Sequence, residues 1–495
     1  MRSIHTYTSL AEAVREHAGQ IPDKTALCDP KGSYSYRQFW ELILHAAACL
    51  RRSGLKPGER LVMECSQDTR FLAVNLACSL EGIIFVGVER RVAPGRLDEI
   101  IQQTEPSLVL TLRKNERTGI PALTVDAFLD QVPDGADPEN LPAPDAACEI
   151  LFSTGTTGKS KGVVLSNRAN LACAQNVAEG ARYEADTTEL MPLPLNHAHG
   201  LRTAYAHLLN GSTCVIANGI TMPRVVLNMM DQHGVNAMDL TPSAAQMLMQ
   251  TSWDNLRARA RSIRFVEVGA AFLPETTKEK LRECFPGAHL YNFYGSSEAG
   301  RCCVLDFSEV IGRPGCIGKP VPNAHFSVLG PEGEPVRSDA DHPGILACGG
   351  SMVMEGYWRE PELTASTLRN GSVVTEDLSY VDEEGFYYVL GRKDDVINYR
   401  GVKISPEEIE EAANACELIA DSACIPVKDE LAGQVPKLFV ALSEEHRAEY
   451  TPEKLFAFLR ERIDDNRMPR EIEVIDEIPR TYNGKLQRKK LMGKA

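Results

Sequence analysis

Apolar runs alternate with amphipathic stretches through the first part of the chain. Residues 42–44 lie in a stretch with helical spacing, and residues 71–80 form a second one. Between and after them, residues 60–63, 107–111 and 149–152 are short apolar runs typical of buried strands. This alternation predicts an α/β fold with buried sheets.

After about residue 320 the apolar runs become shorter and turns become more frequent. Residues 344–348 and 386–390 are strand candidates, and the polar segment 391–395 follows them. The remaining hundred or so residues have an α+β pattern. We therefore expect two domains, 1–392 and 393–495.

Two helices of the second domain have clear start signals. The first is predicted to begin with Ser405 as N-cap, Pro406 at the first helical position and Glu408 completing a capping box. The second is predicted to begin at Thr451, with an apolar face made of Leu455, Phe456, Leu459 and Ile463.

The composition fits a large globular protein. Hydrophobic residues make up 43% of the chain and charged residues 24%, as in ordinary globular proteins. A chain of 495 residues is too long for one usual hydrophobic core. The net charge of −15 argues against nucleic acid as a partner. No apolar run has the length of a signal peptide or a membrane span. We expect a cytoplasmic monomer or homodimer.

The 14 cysteines are scattered singly, apart from Cys302 and Cys303, and none has metal-site spacing. In a long chain this pattern predicts reduced, buried thiols rather than a disulfide framework.

The most informative segment is a Gly/Ser/Thr/Lys-rich loop at residues 153–162, directly after a predicted strand. Its glycines allow an anion to approach the backbone closely, and its hydroxyls, N–H groups and lysines can bind phosphate. An ordinary surface loop is one alternative. The P-loop pattern G-x-x-x-x-G-K-[ST] fails, because Ser153 stands where its first glycine should be.

The loop resembles the [ST]-S-G-[ST]-T-G-x-P-K-G motif of the adenylate-forming superfamily of acyl- and aryl-CoA ligases, adenylation domains and luciferase, with Ser160 in place of the usual proline. The resemblance extends from about residue 8 to residue 491. It implies a large N-terminal domain of α/β subdomains with a distorted β-barrel, and a small mobile α+β C-terminal domain. It also implies that the ATP phosphates are held by Ser153, Thr154, Gly155, Thr156, Thr157, Gly158 and Lys161.

A second set of residues resembles the family's Y-G-x-[ST]-E motif: Tyr294, Gly295, Ser296, Ser297 and Glu298. The resemblance implies that the serine before the glutamate contacts the α-phosphate and that the glutamate helps to hold Mg²⁺, a cation that prefers oxygen ligands. Taken alone, the motif would be an ordinary turn.

Upstream of that motif, Gly269, Ala270 and Ala271 resemble a small-residue segment that lies beside the adenine and the acyl group. Small side chains there would let a flat ligand lie against the backbone. The glycine- and aromatic-containing stretch 348–358 is also similar to the family pattern, where we expect a structural role.

A further motif, T-G-D…D-x-x-G…G-R, has counterparts in Asp377 and Arg392, with Glu376 in place of the glycine. By itself an aspartate is most often a solvated loop residue. The resemblance implies that Asp377 accepts hydrogen bonds from both ribose hydroxyls, for which a carboxylate has enough oxygen atoms. Arg392 would place a positive charge near the ribose and phosphate.

Near the C-terminus, residues 479–485 resemble the family's P-R-T-x-x-G-K motif. Adenylation brings two anionic groups together, so a cation is needed where charge develops. The resemblance gives Lys485 this catalytic role; a lysine-rich tail would otherwise be only a solvated surface. It also implies a hinge at Asp394, and Gly401 and Lys403 along the path of the pantetheine thiol.

The acid itself is less well defined. His197, in a segment similar to P-L-F-H-x-x-G, would lie between the carboxylate and the acyl pocket, although Asn196 replaces the usual aromatic residue. No acidic residue is present there to bind an α-ammonium group, which disfavours an amino acid. Arg202 has two interpretations: it binds a second substrate carboxylate, or it faces solvent.

The predicted function is an AMP-forming ligase that uses ATP and Mg²⁺ to adenylate a carboxylic acid, with His197, Glu298 and Lys485 as catalytic residues, and transfers the acyl group to CoA. A close alternative transfers it to the phosphopantetheine arm of a carrier protein. A luciferase-like monooxygenase and a non-catalytic nucleotide-binding protein are alternatives from other classes.

Overall fold

The computed structural model describes residues 7–114, 120–131, 141–153, 161–399, 402–429, 432–480 and 486–492 of the chain. These residues form three β-sheets with helices packed on them. None of the described helices is both long enough and apolar enough to cross a membrane.

The described residues form fourteen α-helices, together with short 3₁₀ turns such as Ala260–Ser262. In chain order the helices are α1 (Leu10–Gln20), α2 (Tyr36–Arg52), α3 (Thr69–Leu80), α4 (Pro94–Thr104), α5 (Val125–Leu129), α6 (Asn167–Gly180), α7 (Ala198–Asn210), α8 (Pro223–His233), α9 (Pro242–Arg259), α10 (Glu275–Cys284), α11 (Pro361–Thr367), α12 (Pro406–Asn414), α13 (Pro452–Arg460) and α14 (Lys489–Met492).

The described residues also form twenty-six strands. In chain order they are β1 (Thr25–Asp29), β2 (Gly32–Ser35), β3 (Arg60–Glu64), β4 (Ile84–Val88), β5 (Leu108–Thr111), β6 (Ala122–Thr124), β7 (Ala147–Ser153), β8 (Lys161–Ser166), β9 (Thr188–Met191), β10 (Thr213–Ile216), β11 (Ala237–Leu240), β12 (Phe265–Gly269), β13 (His289–Ser296), β14 (Gly300–Asp306), β15 (Cys316–Pro320), β16 (Ala324–Leu329), β17 (Gly344–Gly350), β18 (Gly356–Tyr357), β19 (Leu368–Arg369), β20 (Ser372–Val381), β21 (Tyr387–Arg392), β22 (Ile397–Tyr399), β23 (Val402–Ile404), β24 (Ile419–Asp429), β25 (Gly433–Leu442) and β26 (Glu471–Val474).

The largest sheet has the order β16-β17-β20-β21-β15-β14-β13-β12-β11-β9-β10-β1-β2. Its strands from β1 and β10 through β13 are parallel, whereas those from β14 to β21 are antiparallel. The antiparallel strands are those expected in the distorted barrel. Within the described residues they form an open end of the sheet, and the hydrogen-bond ladder does not close into a ring.

The second sheet has the order β18-β8-β7-β4-β3-β5-β6. The main hydrophobic core lies between this sheet and the large one, because it combines Leu61 and Leu151 of the second sheet with Leu27 and Ile216 of the first. Helices α2, α3, α6 and α7 contribute to the same core. The α/β architecture predicted from the alternating pattern is therefore confirmed.

The third sheet, β23-β22-β25-β24 with β26 paired to β25, belongs to a small C-terminal domain. Helices α12 and α13 pack on it through apolar residues such as Ile409, Leu455 and Leu459. A large N-terminal and a small C-terminal domain are thus present, while the boundary at residues 392 and 393 stays a prediction.

The two predicted helix starts differ in outcome. Thr451 caps α13 as expected, since its side chain accepts a hydrogen bond from the Lys454 N–H at 3.3 Å. At α12, Ser405 as N-cap and Pro406 as first helical residue are confirmed, but the capping box is wrong. Ser405 Oγ donates instead to Glu407 Oε2 at 2.8 Å, and Glu408 forms an ion pair with Arg467.

The cysteine prediction is confirmed. All 14 cysteines are free thiols, and all of them are buried. Most lie in sheets or on the inner faces of helices, where a small apolar side chain packs well.

Candidate active site

Two groups of the predicted nucleotide residues, 269–271 and 294–298, lie where parallel strands of the large sheet end. Strand β12 ends at Gly269, and its neighbour β13 continues to Ser296, with Gly269 paired to Phe293. Ligands of open α/β sheets bind in the crevice outside the carboxyl ends of the strands. The fold therefore places the motif residues at the edge where a ligand is expected.

Close contacts favour glycine at the end of β12. A Cβ added to Gly269 would lie 2.5 Å from His199 Cε1 and 3.2 Å from the carbonyl oxygen of Phe293. The next residue, Ala270, has a left-handed φ of 72°. A non-glycine residue in this region is strained and is characteristic of functional sites. Ala270 and Ala271 are exposed at this edge.

Residues 294–296 end β13, and Ser297 and Glu298 lie in the turn to β14. A Cβ on Gly295 would lie 2.1 Å from the Gly300 carbonyl oxygen, so only glycine fits. Ser296 Oγ accepts a hydrogen bond from the Ala299 N–H at 3.0 Å. Ser297 is half-buried beside it.

Glu298 is held by a tyrosine that sequence analysis had treated as structural. The Tyr357 hydroxyl donates to Glu298 Oε1 at 2.9 Å. Lys161 Nζ, at the start of β8, lies 5.5 Å from the centroid of the same tyrosine ring. Tyr357 therefore links the end of the phosphate loop to the predicted magnesium ligand. A half-buried carboxylate is a fitting donor for Mg²⁺, which prefers oxygen.

Asp377 and Arg392 face each other in adjacent strands, β20 and β21. Arg392 Nε lies 2.9 Å from Asp377 Oδ1, and the Tyr294 hydroxyl donates to Asp377 Oδ2. Arg392 Nη1 also lies 2.8 Å from Glu376 Oε2. Burial opposes the charge of Arg392, but the charges of the two carboxylates raise its pKa. The structure thus joins the predicted ribose residues to the Tyr294 motif.

The phosphate loop itself falls largely outside the described residues. The backbone of Ser153 ends β7 and pairs with Lys161 of β8. The side chain of Ser153 lies outside the described part of the chain, as do Thr154, Gly155, Thr156, Thr157 and Gly158. Their predicted contacts with ATP stay predictions.

His197 is the N-cap residue of α7, the helix that runs back from the same edge. Burial lowers the pKa of His197 to about 4, so its imidazole is neutral near pH 7. Two residues on, His199 Nε2 lies 2.7 Å from Asp239 Oδ1. A neutral imidazole can orient a carboxylate by a hydrogen bond without cancelling its charge.

The solvent-facing interpretation of Arg202 is wrong, because its guanidinium is buried. Its hydrogen bonds go to side chains of this chain, and its binding of a second substrate carboxylate stays a prediction. Arg202 Nη1 donates to Asn170 Oδ1 at 2.6 Å and lies 3.2 Å from Glu149 Oε2. Glu149 lies on β7, and its Oε1 also accepts hydrogen bonds from Tyr205 at 3.2 Å and Asn75 at 3.3 Å. Arg202 therefore ties α7 to the strand that leads into the phosphate loop.

The buried arginine next to the predicted acyl site is one that sequence reasoning missed. Arg301, on β14, donates to Asp239 Oδ2 at 2.8 Å and also pairs with Glu267. Arg301, Asp239 and Glu267 are each a single charged residue in or beside an apolar run of a strand. Charged residues are almost never buried unless paired, so this pattern was a usable signal.

The predicted C-terminal site residues are only partly described. Asp394 lies in an exposed turn between β21 and β22, and Lys403 is exposed on β23. Gly401 and Lys485 lie outside the described residues. The hinge, the thiol path and the catalytic lysine stay predictions. The small domain contacts the large one at α12, where Glu411 accepts a hydrogen bond from the Thr276 N–H at 3.2 Å.

Comparison with known families identifies the class of protein. A family model described as an AMP-binding enzyme matches residues 14–358, and the model of the AMP-binding enzyme C-terminal domain matches residues 408–485. The first match alone covers more than half of the chain. The chain therefore belongs to the AMP-binding enzyme family, which confirms the resemblance stated above.

Similar curated proteins are CoA ligases by name. Feruloyl-CoA synthase of an Amycolatopsis species is 28% identical over 479 residues, covering 95% of both chains. Indoleacetate–CoA ligase of Aromatoleum aromaticum is 26% identical over 502 residues, covering 97% of this chain and 96% of its own.

Solved structures share the fold. The o-succinylbenzoate CoA synthetase of Bacillus subtilis, in complex with its acyl-adenylate intermediate, has a TM-score of 0.87 at 22% identity and covers 97% of each chain. ATP-bound MatB from Rhodopseudomonas palustris has a TM-score of 0.86 at 24% identity and covers 98% of each chain.

Proposed function

We propose that this protein is an ATP-dependent acid–CoA ligase. It joins a carboxylic acid to AMP with release of pyrophosphate, and then transfers the acyl group to the thiol of CoA. The observation that carries the proposal is two groups of contacting side chains that meet at the end of β13, where Tyr294 and Glu298 lie. Lys161, Tyr357 and Glu298 form one group, and Tyr294, Asp377 and Arg392 form the other.

Asp377 is the ribose-binding residue in this proposal. Tyr294 and Arg392 each engage one of its two oxygens and so fix the plane of the carboxylate. A carboxylate has about four lone-pair sites, so about two remain for the ribose hydroxyls. Arg392 also keeps a positive group beside the nucleotide.

Glu298 would help to hold Mg²⁺, with Tyr357 fixing the position of its carboxylate. When bound with ATP, the cation supplies charge neutralisation between the phosphate oxygens. Lys161, the residues of the loop before it and the Ser297 hydroxyl bind phosphate oxygens.

The acid is activated beside His197. Because its imidazole is neutral, it orients the substrate carboxylate while leaving the negative charge that makes the carboxylate nucleophilic. The carboxylate oxygen attacks the α-phosphorus, and the pyrophosphate leaves. Lys485 stabilises the charge that develops at the phosphate during this step. A swing of the small domain about Asp394 then brings Gly401 and Lys403 to the thiol path.

CoA is the proposed thiol because the named relatives are CoA ligases. A carrier-protein phosphopantetheine arm presents the same thiol chemistry and is the second candidate. Measuring acyl transfer to free CoA and to phosphopantetheinylated carrier proteins, with the same acyl-AMP, separates the two. We place the reaction in the cytoplasm, a reducing compartment that suits 14 unpaired thiols.

The function is tested by hydroxylamine trapping of acyl-AMP over aromatic, fatty, short and dicarboxylic acids. Lys485→Ala is expected to lower adenylation by about 100-fold or more, since one well-placed charge contributes this much to such steps. Thioester formation from preformed acyl-AMP should change much less.

Lys490→Ala is the matched control, because Lys490 is an exposed lysine of the same tail. It should leave both half-reactions intact. Absence of any acid-dependent ATP–pyrophosphate exchange would contradict the proposed function. Two intact half-reactions in Lys485→Ala would contradict only the role of the lysine.

A further inference from the structure

A layer of buried charges lies directly beneath Gly269. We call it the acid-site floor and define it by four residues: His199, Asp239, Glu267 and Arg301. Glu267 precedes Gly269 by two positions in β12, so both lie on the same face of the sheet, about 7 Å apart. Asp239 is the register partner of Glu267 in the neighbouring strand β11.

The floor is closely hydrogen-bonded. Arg301 Nη2 donates to Asp239 Oδ2 at 2.8 Å and to the His199 carbonyl oxygen at 3.1 Å, and Nη1 donates to Glu267 Oε2. His199 Nε2 lies 2.7 Å from Asp239 Oδ1. The same His199 ring lies against Gly269. The floor therefore reaches the surface that is predicted to contact the acyl group.

Two atoms of the floor are left without a partner. Glu267 Oε1 and Arg301 Nε make no hydrogen bond to the described residues, although Glu267 is 0% exposed and Arg301 only 5%. Buried polar atoms are normally paired, and leaving them unpaired costs free energy. A ligand that supplies the missing hydrogen bonds would recover this cost.

The charges of the floor restrict what that ligand can be. Burial opposes ionisation of Asp239, but His199 and Arg301 lower its pKa to about 2, so its charge offsets that of Arg301. Burial and the charge of Glu189 raise the pKa of Glu267. A second substrate carboxylate would be repelled by Asp239, and a hydrocarbon tail would leave the polar atoms unpaired. A neutral hydroxyl both donates and accepts, so it fits either protonation state of Glu267.

We propose that the acid activated by this protein carries a hydroxyl group at the end farthest from its carboxylate, and that Glu267 and Arg301 select it. This inference rests on the proposed function, because it assumes that the acid lies beside Gly269. It depends on residues of this chain rather than on the acids named in its relatives.

The test compares matched pairs of acids in the hydroxylamine-trapping assay with the wild-type protein. The pairs are butanoate and 4-hydroxybutanoate, benzoate and its 3- and 4-hydroxy derivatives, and cinnamate and 4-hydroxycinnamate. Succinate, terephthalate and decanoate represent diacids and apolar chains. In at least one pair we expect the hydroxylated acid to have a kcat/KM about 10-fold or more above its partner, because a site built to bind a hydroxyl rejects analogues without it.

Variants connect this preference to the floor. Glu267→Gln and Arg301→Lys should each reduce the ratio of the two kcat/KM values by about 10-fold or more, because the hydroxylated acid loses more than the unsubstituted one. A merely structural role would lower both values together. The matched control is Arg202→Lys, a change at a buried arginine on α7 that pairs with Glu149 and Asn170 instead. It should keep the wild-type ratio.

The outcomes separate this inference from the proposed function. If unsubstituted acids, diacids or decanoate are adenylated as well as or better than every hydroxylated acid, the inference is overturned and the ligase function stands. If no acid is adenylated at all, both are overturned. The wild-type panel decides the inference even if a floor variant does not fold.

Discussion

One buried arginine, Arg202, belongs to helix α7, and a second, Arg301, contacts the same helix. They differ in how fully their neighbours satisfy their hydrogen bonds. Arg202 points from α7 towards the second sheet, where Glu149 and Asn170 bind it. Arg301 reaches α7 from the large sheet, where it pairs with two carboxylates. Both are single charges removed from water, so their location alone does not reveal their roles.

The difference lies in the unpaired atoms and in the distance from the ligand edge. In the described residues, no fully buried atom of Arg202 lacks a hydrogen bond, whereas Arg301 Nε does. Arg301 also contacts the carbonyl of His199, next to Gly269, whereas Arg202 lies beside the core strand β7. A fully paired buried charge is expected to support the fold. A buried charge with spare hydrogen-bonding capacity at a site is expected to act on a ligand.

The largest effect expected from this comparison is on stability. Arg202→Met should lower the free energy of unfolding by about 3–5 kcal/mol, because it leaves Glu149 as an unpaired buried charge. Urea unfolding measures the loss. The double variant Arg202→Met, Glu149→Gln should recover part of it. The fraction that remains folded should keep the wild-type choice of acid. Unchanged stability with an altered choice of acid would reverse the roles of the two arginines.

A smaller effect on stability is expected from pH at Glu267, the carboxylate paired with Arg301. The pKa of Glu267 is raised above its ordinary value of 4.5, chiefly by burial. Above pH 4.5 the unfolded chain releases this proton while the folded chain retains it, so wild-type stability falls as pH rises towards the folded-state pKa. Glu267→Gln lacks this proton. Its stability relative to wild type should therefore rise with pH by up to about 1.4 kcal/mol per unit.

Urea unfolding at pH 5, 6 and 7 checks this difference. Arg202→Met should show the same pH dependence as wild type, because it leaves Glu267 unchanged. Parallel pH curves for wild type and Glu267→Gln would mean that Glu267 does not hold its proton in the folded state.

The smallest change in stability is expected at Ala270, which directly follows β12 above the acid-site floor. Ala270 has a φ of 72°, a conformation that costs a side-chain-bearing residue about 1 kcal/mol or more. Ala270→Gly should therefore raise the free energy of unfolding by about 0.5–1 kcal/mol, after the greater freedom of glycine in the unfolded chain is deducted. Asn370→Gly is the comparison, because asparagine tolerates its φ of 51°. A loss of stability in Ala270→Gly would show that no strain is stored there.

Much of the fold could be predicted from local patterns. The helix and strand of residues 36–64 and the capped start of α13 follow from apolar spacing and from a threonine before a proline. The capping box at Ser405 failed because Glu408 found a long-range partner in Arg467, which no local pattern encodes. The open end of the large sheet depends on pairings between strands far apart in the chain.

The site could be predicted where side chains lie in ordered motifs, as Tyr294, Asp377 and Arg392 do. The contact of Tyr357 with Glu298 could not be predicted, because it joins segments 59 positions apart. Arg202 was misjudged because its partner, Glu149, lies on β7, 53 positions away in the chain. Sequence gives the residue types, but which buried charges meet is decided by the packing of the sheets.

The 14 buried thiols make the native chain a poor substrate for alkylating reagents. Thiol labelling would then follow global unfolding, with no cysteine having to be removed first. A single cysteine introduced at Asp394, in its exposed turn, would be the first to react in the folded protein. One fluorophore could then be attached there selectively, so that its emission reports the position of the small domain during turnover.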